Sequence, residues 1–241
     1  MPGLTAANFT VLEDGQPQII TTFAGAELPA AVALAIDRSV SMKGAPLTLA
    51  RTAGRVFLSS LRPDDRAMLI SISGDVEVLA PLATDKQPAL DALARLDPWG
   101  TTSLYDALIR TLDLLDHETG RRAVVILSDG VDRYSEAAEA QVLDRARQSD
   151  VQMYAIALGA SRPRWFVELA TVSGGRSFHL DDPRGLGKTL QAIAADLRAQ
   201  YLLGYASSAP LSSEDSGWRS ITVKVDRPGV TVRARSGYRA R

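Results

Sequence analysis

The sequence predicts an α/β protein, a doubly wound and mostly parallel sheet of Rossmann-like type, with a small antiparallel β subdomain formed by the two chain ends. Three observations carry this. Apolar runs of strand length at 32–36, 67–72, 122–127 and 151–158 are near-continuous rather than alternating, as expected of strands buried on both faces. Between most of them lie segments with apolar residues at helical spacing, the order of a parallel sheet covered on both sides. The ends of the chain carry β-rich runs with no helices between them, and an isolated hairpin is marginal in water. Both ends are therefore expected to meet in one sheet.

In chain order, Phe9-Thr10-Val11-Leu12 and the run 18–23 flank Asp14-Gly15 and read as a hairpin. After the strand 32–36, Leu49, Ala53, Val56, Phe57 and Leu61 mark a helix over 45–61, broken by Pro63-Asp64-Asp65. Strands 67–72 and 76–82 pair through Gly74-Asp75, and a short helix spans 88–96. A loop, Asp97 to Ser103, opens a helix over 104–116. The strand 122–127 ends in Ser128-Asp129-Gly130. A polar helix over 136–148, a strand 151–158, a short helix 165–172, a strand 176–180 and a helix 186–199 follow. Strands are expected at 201–205, 220–225 and 230–235, the last two alternating cleanly about the turn Asp226-Arg227-Pro228-Gly229. The expected division is 1–28 for the first hairpin, 29–200 for the α/β domain, and 201–241 for the closing strands.

Composition narrows the chemistry. The 241 residues, with ordinary apolar and charged fractions, suffice for one sizeable domain and a small addition. A net charge of −1 gives no global field toward nucleic acid or anionic lipid. No cysteine means no disulfide, thiolate metal site or cysteine nucleophile, and two histidines exclude a histidine-rich centre. No apolar run approaches the ~20 residues that cross a bilayer, so no membrane insertion is expected. Met1-Pro2-Gly3-Leu4 lacks the basic and apolar regions of a signal peptide.

Three loops concentrate oxygen donors. The first strand of the α/β run ends on Asp37, with Ser39 and Ser41 two and four residues on; Thr102 stands at a helix start; Asp129 ends a strand. In an open parallel sheet, ligands bind beyond the carboxyl ends of strands where strand order reverses, and these loops could share that edge. Such donors suit a hard divalent cation, Mg²⁺ or Mn²⁺. If the hydroxyls ligate directly and the aspartates act mostly through water, the metal keeps its positive charge and would attract a carboxylate from outside. That mix suits holding a partner more than driving hydrolysis.

Three stretches in this order, Asp37-x-Ser39-x-Ser41, Gly100-Thr101-Thr102-Ser103-Leu104-Tyr105-Asp106-Ala107-Leu108 and Leu127-Ser128-Asp129-Gly130, resemble the von Willebrand factor type A domain with its metal-ion-dependent adhesion site. The resemblance covers roughly residues 30–200. It implies Asp37, Ser39, Ser41, Thr102 and Asp129 as the five metal-site residues. Thr102 is taken over Thr101 because it sits two before Leu104; the family usually shows two glycines before this threonine, where this chain has Gly100-Thr101. The flanks, an F-T-V-x-E-D-G-x-P-Q segment and a G-x-Y end, resemble a bacterial subgroup of such proteins, generally exported. The resemblance thus favours an extracytoplasmic location, periplasmic or secreted.

The implied function is a metal-dependent, adhesion-type protein-binding module that captures a partner's acidic side chain, with Arg38, Met42 and Trp99 on the rim. Two other readings stand beside it. One is a metal-dependent hydrolase or phosphotransferase using Asp37, against which Ser39 stands where a second aspartate is expected. The other is a scaffold binding through the small β sheet. Asp106 is read as a helix N-terminal acid, and Asp132 as a cap for the helix that follows it. Gly185-Leu186-Gly187-Lys188-Thr189 lacks the spacing of a phosphate loop, with Asp182 at the position of its first glycine. His117 and His179 read as structural, Arg233, Arg235, Arg239 and Arg241 as a solvated strand face and tail, and Asn8-Phe9-Thr10 as a weak sequon.

Overall fold

The computed structural model describes residues 3–25, 27–209 and 217–239. Asp14 and Gly15 take φ of 47° and 81°, the left-handed pair that a two-residue hairpin requires, and join β1 (Phe9–Glu13) to β2 (Gln16–Gln18). The run expected as one strand over 18–23 is split. Ile19 projects into solvent, 82 % exposed, and β3 (Ile20–Ala24) leaves its neighbour to pair elsewhere.

The α/β body follows: β4 (Ala30–Asp37), α1 (Ala45–Ser60), β5 (Arg66–Ile72), β6 (Val76–Ala83), α2 (Gln87–Ala94), α3 (Leu104–Asp116), β7 (Arg121–Ser128), α4 (Glu139–Arg147), β8 (Gln152–Leu158), α5 (Arg164–Ser173), β9 (Arg176–Leu180) and α6 (Leu186–Arg198). The chain closes with β10 (Leu202–Tyr205), β11 (Trp218–Val225) and β12 (Gly237–Arg239). Six strands form the central sheet in the order β6-β5-β4-β7-β8-β9, parallel except for the β5–β6 hairpin.

Every residue of β4 is buried, and its two faces are built differently. Val32, Leu34 and Ile36 pack toward α1, α2 and α6, while Ala31, Ala33 and Ala35 leave room for Leu104, Leu108, Leu112 and Leu115 of α3. Small residues on one face let that helix approach closely, which fixes its amino end over the end of β4.

Both chain ends meet in one antiparallel sheet, β12-β11-β1-β2, with β3 and β10 paired beside it. A buried carboxylate joins four of these strands. Glu13, 2 % exposed, accepts from Tyr205 Oη at 2.7 Å, Tyr238 Oη at 2.8 Å, Arg219 at 3.0 Å and the Ser207 hydroxyl. Burial raises its pKa, but hydrogen bonds from Ser207, Tyr205, Tyr238 and Arg219 outweigh it and hold the carboxyl below the ordinary value of 4.5.

The expected strand over 230–235 is not formed; this segment crosses to the body without a ladder, and on the side away from β1 the strand β11 pairs with β12 instead. Its arginines explain the difference. Arg233 pairs with Asp196 at 2.7 Å, and Arg235 pairs with Asp150 and donates to Arg147 O at 3.0 Å. Ala234 lies so close to Gly174 (φ 75°) that any side chain there would meet its backbone. Arg233 and Arg239 stay exposed, as expected, while pairing with Asp196 and Asp144; Arg235 is largely covered beside Asp150, and Arg241 lies outside the described residues. These contacts sit at the amino-terminal edge of the central sheet, leaving the opposite edge to the three donor-bearing loops.

Candidate metal centre

Strand order reverses between β4 and β7, so their carboxyl ends open a crevice. Asp37 is the last residue of β4, and Asp129 directly follows β7. Asp37 is fully buried: Oδ1 accepts the Ser39 amide at 2.8 Å and Oδ2 the Ser128 hydroxyl at 2.6 Å. Ser39 Oγ and Ser41 Oγ lie 3.0 Å apart. Asp129, half-buried, receives the Val131 amide at 3.0 Å.

Backbone bonds lace the loops together. Trp99 N–H donates to Arg38 O at 2.7 Å and Val40 N–H to Gly100 O at 3.2 Å, tying the first loop to the second. Arg133 and Tyr134 amides donate to Thr102 O at 2.9 and 3.1 Å, tying the third to the second. Ser128 closes the circuit through Asp37. Thr102 is buried at the entry to α3, while the hydroxyl of Thr101 is buried with no hydrogen-bond partner among the described residues. Gly130 (φ 76°) permits the turn after Asp129; a side chain there would strike the Pro163 ring.

Asp132 works differently from the expectation, while Asp106 is an acid of the first turn of α3, as expected, whose partners lie elsewhere. Asp132 accepts the Leu104 and Tyr105 amides at 2.7 and 3.2 Å, capping α3 rather than α4. Asp106 accepts the Glu136 and Ala137 amides at 2.9 and 3.0 Å, bracing the loop before α4 rather than its own helix. The start of α3 and the loop before α4 are thus held by carboxylates from each other.

On the rim, Arg38 is half-buried and Trp99 is 69 % exposed. Met42 is corrected: it is 1 % exposed and belongs to the core. It ends the 3₁₀ turn Val40–Met42, and with three residues per turn Val40 and Met42 cannot share a face. Val40 takes the outward position, 63 % exposed. Beside the centre, Ser41, Asp129, Gly159, Ser161 and Asp181 line a cleft of about 350 Å³.

The donor set fits a hard cation. Burial is the main cause raising the Asp37 pKa, against the hydrogen bonds from Ser128 and Ser39; its charged neighbour, Asp129, pushes the same way as burial. A cation between the two carboxylates would offset both penalties. Among the described residues no cluster of three or more His, Cys, Asp or Glu side chains is placed to hold a metal. No helix among them is long and apolar enough to cross a membrane.

Residues 32–131 match the sequence profile of the von Willebrand factor type A domain. An uncharacterized protein of Borreliella burgdorferi is 30 % identical over 124 residues, 50 % of this chain and 36 % of the relative. The von Willebrand factor type A structure from Catenulispora acidiphila superposes with a TM-score of 0.64 at 17 % identity, covering 78 % of this chain and 50 % of that one. Proximal thread matrix protein 1 from the mussel byssus, with a zinc-occupied MIDAS motif, gives 0.64 at 16 % identity over 76 % and 49 %. The chain thus spans about a third of the curated relative and half of each of these structures.

Proposed function

The chain carries a von Willebrand factor type A domain, of a family whose members are often metal-dependent protein-interaction modules, and from that premise we propose that it is a divalent-cation-dependent binding module for a protein carboxylate. Asp37, Ser39, Ser41, Thr102 and Asp129 would hold the cation, and a partner's Asp or Glu would complete its shell. The observation that carries this reading is Asp37, a fully buried carboxylate that accepts only from neutral groups, Ser128 and Ser39, with a second carboxylate as its charged neighbour. The cation would supply an electrophilic position, and the backbone bonds between the loops would hold the donors in place before a partner arrives. The mussel protein's site holds zinc, whereas the all-oxygen donors here favour Mg²⁺ or Mn²⁺. The role is binding rather than turnover: the Ser39 amide donates back to Asp37, and Ser39 offers no general acid.

Titration with Mn²⁺ followed by electron paramagnetic resonance tests this. A single saturable ion is expected, lost in Asp129→Ala, with its signal broadened by ¹³C-acetate standing in for the partner carboxylate. Absence of a bound ion, or a bound ion indifferent to acetate, would overturn the proposal.

A further inference from the structure

Between the sheet made by the chain ends and the amino edge of the central sheet, the described residues leave a cavity of about 960 Å³. That is at the upper end of the roughly 300–1,000 Å³ that ligand sites occupy. One wall is a face of the β1–β11 ladder. Phe9 stands opposite Val225 and Val11 opposite Val223, with Ile221 next in the row. Val11 is buried, but Phe9, Ile221, Val223 and Val225 are only half-buried, so the chain itself does not cover their apolar surface. Val230 and Val232 of the crossing segment, also half-buried, extend this lining. A strand rise of ~3.3 Å per residue puts about 13 Å between Ile221 and Val225. The result is a straight trough, aliphatic apart from Phe9, on the face of a ladder rather than at an open edge. A hydrocarbon chain can lie along it, whereas a peptide strand would find side chains where it needs backbone partners.

The polar lining decides the head group. Each of its eight charged residues already has partners. Asp150 pairs with Arg122 and Arg235, and Asp196 with Arg233 and with Arg176 from outside the lining. Arg147 pairs with Asp144 and Glu168, Arg239 with Asp144, and Arg121 donates to the carbonyls of Leu28 and Leu197. A charged head group would have to compete with one of these pairs. Neutral groups are better placed: Gln200 Nε2 donates to Tyr154 Oη at 2.9 Å and to Gln152 Oε1. Among the described residues this leaves the Gln152 amide N–H groups and the Gln200 side-chain carbonyl to meet a ligand's hydroxyls.

We propose that this cavity binds a neutral single-chain amphiphile of the monoacylglycerol class, its acyl chain along Ile221, Val223 and Val225 and its hydroxyls on Gln152 and Gln200. The site lies at the opposite edge of the central sheet from the candidate metal centre and does not depend on it. Calorimetric titration of the whole chain with monolauroylglycerol, below its micellar concentration, tests the proposal, with the laurate anion as the charged counterpart. One saturable site is expected, unchanged by EDTA and preferred over laurate by roughly tenfold or more. Val223→Trp and Val230→Trp each place an indole over the trough and should weaken binding by roughly tenfold or more. Melting of the ligand-free variants, read in parallel, separates a filled cavity from a lost fold. Val230 lies in a segment without a ladder, so Val230→Trp carries the comparison if Val223→Trp does not fold. No saturable binding of monolauroylglycerol, laurate bound as tightly, or parental affinity in the folded variants would overturn the proposal.

Discussion

Ser128 shows how one hydroxyl can govern a site without being a candidate ligand. It donates to Asp37 Oδ2 at 2.6 Å and accepts the Gly130 amide at 3.0 Å, so it orients the buried carboxylate and the turn after β7 together. Ser128→Ala leaves both groups short of a partner inside the protein and is expected to cost about 1–3 kcal/mol in urea unfolding. Asp132→Ala uncaps α3 and should cost about 0.5–2 kcal/mol in the same assay. Asp37, Ser39 and Ser41 were legible because a fully apolar strand ending in a carboxylate and spaced hydroxyls is a local pattern. The caps were not legible. Asp132 lies 28 residues from the amide it satisfies, and Asp106 30 residues from its own, so local propensity assigned each to the nearest helix start.

At the scale of elements, the body followed the sequence closely because its strands are buried on both faces and its helices carry one apolar face. The departures fall where two patterns compete. The alternation over 230–235 suggested a strand, but its arginines reach Asp196 and Asp150, and Gly174 admits the backbone to the body. The run 18–23 is continuous in β propensity, yet one stretch serves two different partners and must break at Ile19. Met42 looked like a rim residue because it follows the donor-bearing loop; the 3₁₀ turn rotates it into the core. Met42→Ala is accordingly expected to cost about 2–5 kcal/mol in stability, as a core truncation. Trp99→Ala, which removes an exposed side chain, is expected to leave stability almost untouched. A Met42→Ala variant with unaltered melting would return that side chain to the rim.

Across the whole molecule the two edges of the central sheet are divided between tasks. Donor-bearing loops occupy the carboxyl edge, and the sheet made by the chain ends is tied to the amino edge. That sheet depends on Glu13 remaining ionised among Ser207, Tyr205, Tyr238 and Arg219. Because its folded pKa is lowered, the stability it contributes is full above the ordinary carboxylate value of 4.5 and is lost as pH falls through the lowered folded value. Urea midpoints measured from pH 7 to pH 3 should therefore fall more steeply in the parent than in Glu13→Gln, which starts lower and lacks this titration. The central claim concerns the other edge, and thermal melting tests it most directly: parent and Asp129→Ala, each with Mg²⁺, Mn²⁺, Ca²⁺ or EDTA. At a cation concentration of about 100 times Kd, linkage adds ~2.7 kcal/mol, which for a chain of this size raises Tm by about 5–10 °C. The account predicts that rise in the parent with Mg²⁺ or Mn²⁺, reversed by EDTA and absent in Asp129→Ala. Equal melting of the parent in cation and in EDTA, or an equal rise in Asp129→Ala, would contradict it.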